Sequence, residues 1–349
     1  MTQKKEIVDT TAPETERLVG VDCGTMNIVL AEETSKGEIE ISSIRNMYLP
    51  LDKSQMTMAE MSNIDYVEAD DQIFIIGEDA YRFGNMFGKE VSRPMSGGLI
   101  SSTDIDSVDV LTLILKQLAG TTYKGKCVYS IPSASLDKSN NVVYHENVFK
   151  RVFNELGFVS GSFNEAMAII YSQCQKEKFT GLSFSFGAGM VNCALSYKSV
   201  PILTFSVARS GDWIDQKTSE SIGVVSNRVT SIKEKGTDLR NFNIGGKRER
   251  RIREAIIYYY REAISHALKN VTAKLEHDAG DLELQEGIPI IVSGGTSLAT
   301  GFMDIFNEVL SENDDFPLEI SEVRRAKDPL SAVAEGLLIK GMIDKKSSE

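Results

Sequence analysis

Two short glycine turns constrain this chain more than any other feature in it. Asp22-Cys23-Gly24-Thr25-Met26-Asn27 follows the strand-like run Leu18 to Val21 and leads into a second, Ile28 to Ala31. Ser185-Phe186-Gly187-Ala188-Gly189-Met190 closes the run Leu182 to Phe186 and leads into Val191 to Tyr197. A third strand follows each pair, Ile39 to Ile44 in the first half and Pro201 to Ala208 in the second. The order strand, glycine turn, strand, strand occurs twice, which predicts a duplicated α/β unit with a cleft between the copies. A length of 349 residues exceeds what one hydrophobic core spans and agrees with two domains.

Ile105, Val108, Leu111, Leu115 and Leu118 are spaced by three and four, which predicts an amphipathic helix. Further helices are predicted over Asn141 to Leu156, closed by Gly157, over Glu165 to Gln175, and between Asp212 and Lys235. Ile252, Ile256, Tyr260, Ile264, Leu268, Val271 and Leu275 mark one long helical face, and 330–342 forms a last helix. Strands are predicted at Ile73 to Ile76, at Cys127 to Ile131 before Pro132, and at Ile288 to Val292. The division expected is a disordered tail over 1–17, a first domain over 18–160 and a second over 161–325. Smaller parts fall near 46–98 and 216–275, and 326–349 returns to the first domain as a helix and tail.

The net charge of −12 argues against nonspecific nucleic-acid binding, which needs an excess of Lys and Arg. Cys23, Cys127, Cys174 and Cys193 have no paired spacing, and His145, His266 and His277 lie far from them in sequence. They read as reduced core thiols of a cytoplasmic protein rather than zinc ligands or disulfides. No apolar run reaches membrane-spanning length. The run Lys247-Arg248-Glu249-Arg250-Arg251 is mixed in sign and reads as a solvated helix face. Met56, Met58 and Met61 read equally as core filling, a mobile loop or a partner surface, and Trp213 as core.

A glycine turn exposes successive N–H groups and lacks the Cβ that would keep a phosphate away. Thr25 and Asn27 add donors, and Asp22 can hold a Mg²⁺ through its water shell. Each turn alone is equally a plain hairpin. A third turn, Ser293-Gly294-Gly295-Thr296-Ser297, follows a very apolar strand and leads into a predicted helix, whose N-terminus would favour anions. No GxxxxGK[ST] is present, which excludes a P-loop.

Five segments, in this order, resemble the ATPase domain shared by actin, sugar kinases and the 70-kilodalton heat-shock chaperones, a ribonuclease H-like α/β fold. They are Val21 to Asn27, Asn164 to Ala168, Phe184 to Met190, Ile291 to Ser297 and Asp328 to Gly336. Ser210 to Asp215, Ser231 to Gly236 and Arg93 to Ile100 are similar to segments of the prokaryotic MreB-like and MamK-like actins. The resemblance implies ATP or ADP with Mg²⁺ in the cleft, Asp22 organising the metal's water shell, and Glu165 orienting the attacking water. It implies nucleotide contacts from Gly24, Thr25, Met26 and Asn27, from Ser185, Gly187, Ala188 and Gly189, and from Gly211 and Asp212. Lys233 and Glu234 would hold the nucleoside, with Gly294, Gly295 and Thr296 beneath it. Glu165 also reads simply as a favourable charge at a helix start.

One departure stands out: Ser185 occupies a position where the family carries aspartate. The resemblance therefore implies ATP binding with slow hydrolysis. It further implies a cytoskeletal protein that polymerises head to tail, since heterologous contacts generate open filaments. A non-polymerising adaptor or reactivating chaperone of the same fold is the alternative. A small-molecule kinase is disfavoured by the absence of a dedicated substrate segment.

Overall fold

In the computed structural model of the protein, β1 (Arg17–Cys23), β2 (Asn27–Glu33) and β3 (Ile39–Arg45) form an antiparallel meander. β4 (Gly125–Ile131) pairs parallel to β1 and β5 (Phe158–Asn164) parallel to β4, giving the order β5-β4-β1-β2-β3. The structure describes residues 17–348 apart from 62–63, 65, 70–71, 102–103, 123–124, 138–141, 279–283 and 285. The tail expected over 1–17 lies outside the described residues except for Arg17. That residue belongs to β1, where its Nε donates to Glu32 at 2.6 Å.

The second half repeats the plan. β6 (Gly181–Phe186), β7 (Val191–Tyr197) and β8 (Val200–Val207) form the meander, and β9 (Ile288–Ser293) and β10 (Ile320–Arg325) extend it in parallel. The order is β10-β9-β6-β7-β8, the same as in the first sheet strand for strand. The fold is α/β and actin-like, a duplicated unit.

β6 and β9 are buried at every position because helices cover both faces of the sheet. On one face Phe184 and Phe186 pack against Phe302 and Phe306 at ring distances of 5.1 to 6.3 Å. Full burial of each such side chain contributes about 1.5–3 kcal/mol relative to exposure. On the other face small residues admit α3 (Glu165–Gln173), and Ser183 Oγ donates to Ala166 O at 2.7 Å. Residues 166–171 of α3 are all buried, because α3 lies against α8 (Ala332–Ser348) in a core shared with Ala194 of β7 and Ile291 of β9. The two helix backbones touch. A Cβ on Gly336 would lie 1.7 Å from the Ala168 carbonyl oxygen, so only glycine fits there. α8 also packs on β1, where a Cβ on Gly20 would meet Ala334 O at 2.4 Å.

α1 (Ser107–Ala119) and α2 (Val142–Glu155) supply Leu111, Ile114, Phe149 and Phe153 to the core of the first sheet. Ile105, expected on α1, precedes it and is 94% exposed. The helical stretch expected between Asp212 and Lys235 is two helices, α4 (Gly211–Ile222) and α5 (Ser226–Glu234), because Gly223 takes a left-handed cap at φ 70°. α6 (Lys247–Asp278) buries the apolar face expected of it, and α7 (Phe302–Ser311) packs beside it.

Strands Tyr48–Asp52, Val67–Ala69 and Gln72–Ile76 with helix Gly77–Phe87 surround a small separate core that includes Leu49, Ile73 and Phe83. Met56 packs on that core and Met61 is exposed; the Met58 side chain lies outside the described residues. Trp213 is half-buried, packed edge-on against Tyr259 under the Arg209 guanidinium. The four cysteines are free and buried. Among the described residues no helix is long and apolar enough to cross a membrane.

Candidate functional site

The β1–β2 turn enters a cavity of about 630 Å³ from the first half, and the β6–β7 turn enters it from the second. A Cβ on Gly24 would lie 2.5 Å from Asn27 O, which fixes glycine in the first turn. The buried Asn46, just after β3, props this turn: its Nδ2 donates to Gly24 O at 3.0 Å and its N–H to Met26 O at 2.9 Å. In the second turn the carbonyls are taken by the protein. Ser210 Oγ and Thr296 Oγ1 donate to Gly187 O at 2.6 and 2.7 Å, and Asp212 N–H to Ala188 O at 2.8 Å. With those acceptors engaged, an anion in the cavity meets the donor side of the turn.

The two turns touch. A Cβ on Gly189 would lie 2.3 Å from the Gly98 nitrogen and 2.7 Å from Thr25 Oγ1. Gly98 belongs to the tight hairpin Met95–Ser96 and Leu99–Ile100.

Between the turns stand two half-buried acids, both on the cavity wall. Asp22, at the end of β1, accepts from Ser130 Oγ at 2.9 Å. Glu165, in the first turn of α3, accepts from Asn192 Nδ2 at 2.8 Å and from the Ser185 hydroxyl. Ser185 and Asn192 face each other across the β6–β7 pair, so one rung of the sheet supplies both donors. Burial, then the negative charge of Glu165, pushes Asp22 up to about 8, against the Ser130 hydrogen bond. Burial also pushes Glu165 up, against its bonds from Ser185 and Asn192. The Glu165 carboxylate is turned into the cavity, and Asn164 caps the helix instead, accepting from Met167 N–H at 3.0 Å.

Two half-buried, cavity-facing carboxylates with neutral protein partners fit a hard divalent cation, which takes oxygen ligands and reduces the repulsion between them. Among the described residues no group of three or more His, Cys, Asp or Glu gathers. Asp22 could thus hold a hydrated Mg²⁺ that takes its other ligands from a phosphate and water.

The remaining sequence candidates line the same cavity. They are Met26 and Asn27 of the first turn, Gly211, Asp212, Lys233, Glu234, and the third turn Gly294, Gly295, Thr296. Gly294 takes φ 89°, and a Cβ on it would meet Phe186 O at 2.4 Å. The helix expected after this turn is only a single 3₁₀ turn, Gly295–Leu298, so its N-terminus offers little dipole. The Lys233 ammonium is already engaged, 2.7 Å from Asp215 Oδ1 and donating to Gly211 O at 3.0 Å. Asp212 receives both guanidinium nitrogens of Arg93, at 3.2 and 3.0 Å. Glu234 lies 3.8 Å from Arg45, whose guanidinium stacks over Tyr81 at 4.7 Å. Arg93 and Arg45 come from the first half, Asp212 and Glu234 from the second, so two ion pairs cross the cleft. Asn192, Asp215, Arg45 and Tyr81 are cavity residues that the sequence reading missed. Asn192 and Asp215 stand within or next to segments that it did single out.

Comparison with solved structures places this arrangement. The fold matches a MamK double helical filament at 15% identity and TM-score 0.66, over 94% of this chain and 99% of the other. It matches MreB5 of Spiroplasma citri bound to AMPPNP at 18% identity and TM-score 0.67, over 96% and 99%. It matches the ethanolamine utilization protein EutJ from Carboxydothermus hydrogenoformans at 16% identity and TM-score 0.54, over 95% and 91%. These likenesses show an actin-like fold. No curated protein sequence matches the chain. The profile of one family covers residues 18–341, nearly the whole described structure, and the chain belongs to that family, Volactin.

Proposed function

We propose that the protein binds ATP and ADP with Mg²⁺ in this cavity, polymerises head to tail in the ATP state, and hydrolyses ATP slowly. The observation that carries the reading is the meeting of two glycine turns, at Thr25 and Gly189, around the half-buried Asp22–Glu165 pair. A cavity of about 630 Å³ suits a nucleotide. Cytoskeletal work in the cytoplasm, by two domains of about 18–160 and 161–325 that close on the ligand, follows from the same reading.

Mg²⁺ would neutralise phosphate charge next to Asp22. The donor side of the second turn holds the phosphates, and Glu165 accepts a hydrogen bond from water and aims it along the line of attack. Asn192 and Ser185 hold the Glu165 carboxylate in place. Catalysis is positioning and charge neutralisation, with no covalent nucleophile. Ser185 keeps a hydrogen bond where a carboxylate would add charge, and that is the reason for slow turnover.

Two measurements test this. ATP should bind far better with Mg²⁺ than in EDTA, and ATP should drive the protein into a pelletable species that electron microscopy shows as filaments. A species that stays monomeric or dimeric at high concentration replaces the filament reading with a nucleotide-dependent adaptor. Ser185→Asp should raise phosphate release; if wild type is already as fast as the variant, slow hydrolysis is wrong.

A further inference from the structure

On a chain of net charge −12, one cluster of cations stands apart at the start of α6. Lys247, Arg248 and Arg251 are exposed and pair with no acid among the described residues, whereas Arg253 is held by Glu249 at 2.8 Å. Helix stability does not explain them. The first turn of a helix carries the positive end of its dipole and disfavours cations, and Lys247 and Arg251 repel each other at a spacing of four. Beside them the chain exposes Phe242 and Ile244, each 41% accessible.

The opposite end of the same half carries the opposite charge. α6 has 32 residues, and it runs ~48 Å. α7 lies along it: Arg261 of α6 pairs with Glu308 and Glu312, and farther down Asn313 Nδ2 donates to Thr272 Oγ1 at 3.1 Å. Just past that point Asp314, Asp315 and Glu319 are exposed and unpaired among the described residues. The acidic end therefore lies roughly 38 Å down the helix axis from Lys247, taking 1.5 Å per residue from Lys247 to Thr272.

We propose that the basic start of α6, with Phe242 and Ile244, docks onto the acidic segment that follows α7 in a second copy of this chain. This proposal rests on the filament reading and names the surfaces that make it. Patches of opposite charge at opposite ends of one rigid helix can pair head to tail, which repeats along the axis and stays open, or as an antiparallel two-fold pair, which closes; the filament reading takes the first. Being electrostatic and exposed, it weakens as salt rises.

The test uses two charge-reversed full-length chains, Lys247→Glu/Arg248→Glu/Arg251→Glu and Asp314→Lys/Asp315→Lys. Both should bind ATP as wild type does, since neither touches the cavity. Each alone should need about tenfold more protein to pellet with ATP, while an equimolar mixture regains wild-type assembly, because each reversed end meets its complement in the other variant. Assembly of each variant alone at the wild-type concentration overturns the proposal but leaves the filament reading standing. Loss of assembly that mixing does not restore overturns it too. So does assembly-independent binding of the basic cluster to single-stranded DNA or anionic vesicles that the first variant loses while it still polymerises. Failure of wild type itself to assemble sinks the filament reading and this proposal together.

Discussion

At the turn end of the cavity, Asp22 and Glu165 are half-buried against neutral partners: Ser130, Ser185 and Asn192. At the other end, the nucleoside end of the proposed function, the acids face cations from the chain itself. Asp215 has Lys233 and Asp212 has Arg93, while Glu234 shares Arg45 with Glu78, which lies 2.7 Å from that guanidinium. The contrast assigns different work to the two ends. Charge at the nucleoside end is balanced before any ligand arrives, so a ligand gains shape and hydrogen bonds there but little net Coulomb energy. At the turn end only a proton or a bound cation can balance the charge, so under the proposed function that end couples binding to a cation.

The largest expected effect lies at the balanced end. Lys233 and Asp215 have only 14% and 5% of their side chains exposed. Burial pushes Asp215 up, and the Lys233 charge opposes the shift. Lys233→Met leaves a buried carboxylate without its cation and should lower unfolding free energy by about 3–5 kcal/mol. Adding Asp215→Asn should return much of that, because the lone charge is then gone. Urea denaturation followed by circular dichroism measures both. If Lys233→Met is as stable as wild type, the nucleoside end is not internally balanced and the comparison breaks.

Next in size is Asp22→Asn, which tests the unbalanced end. Loss of a charge-assisted contact should weaken Mg²⁺-dependent ATP binding by roughly 10- to 100-fold, with little change in EDTA. The ligand-free protein should respond in the opposite direction. Asp22 titrates near 3.8 when unfolded and at about 8 when folded, so its proton favours the fold. That contribution is full below about pH 4 and is lost as pH rises toward 8. Ligand-free wild type should therefore melt at a lower temperature at pH 8 than at pH 5.5, and the asparagine variant should lose part of that slope. Thermal melts at the two pH values decide it; equal slopes would mean that Asp22 is not the strained group.

Much of the scaffold around this contrast was legible in the sequence because backbone contact forces particular residues. Gly24, Gly189 and Gly336 each stand where a Cβ would strike another backbone, so the turns and the α3–α8 crossing carry small residues at fixed places. The mostly apolar runs of β9 and α3 and the alternating Leu182-Ser183-Phe184-Ser185-Phe186 of β6 were equally readable. β5 was not. It is a sheet edge reading Val159-Ser160-Gly161-Ser162, with one neighbour and mixed burial, so no period marks it. The cross-cleft pairs were invisible for a different reason. Arg93 and Asp212 stand far apart in sequence, and nothing local to either reports the other. The Ser185–Asn192 rung became visible only with the strand register.

Arg93→Ala tests the smallest effect and separates two ways of closing the cleft. The pair is bidentate, which favours it, but its side chains are 27% and 31% exposed, so solvent screens it and its worth is about 1 kcal/mol at most. Removing it should speed release of a fluorescent ATP analogue by up to about fivefold, read by stopped-flow chase with excess ATP. Arg93→Lys should fall between, since an ammonium cannot present the two-pronged fork to Asp212. Raising salt should quicken wild-type release toward the alanine rate while leaving the variant nearly unmoved. A release rate that stays at the wild-type value in Arg93→Ala would show that the cleft is held by the meeting of Gly98 with Gly189. The charge balance at the nucleoside end would then serve stability alone and have no part in retaining the ligand.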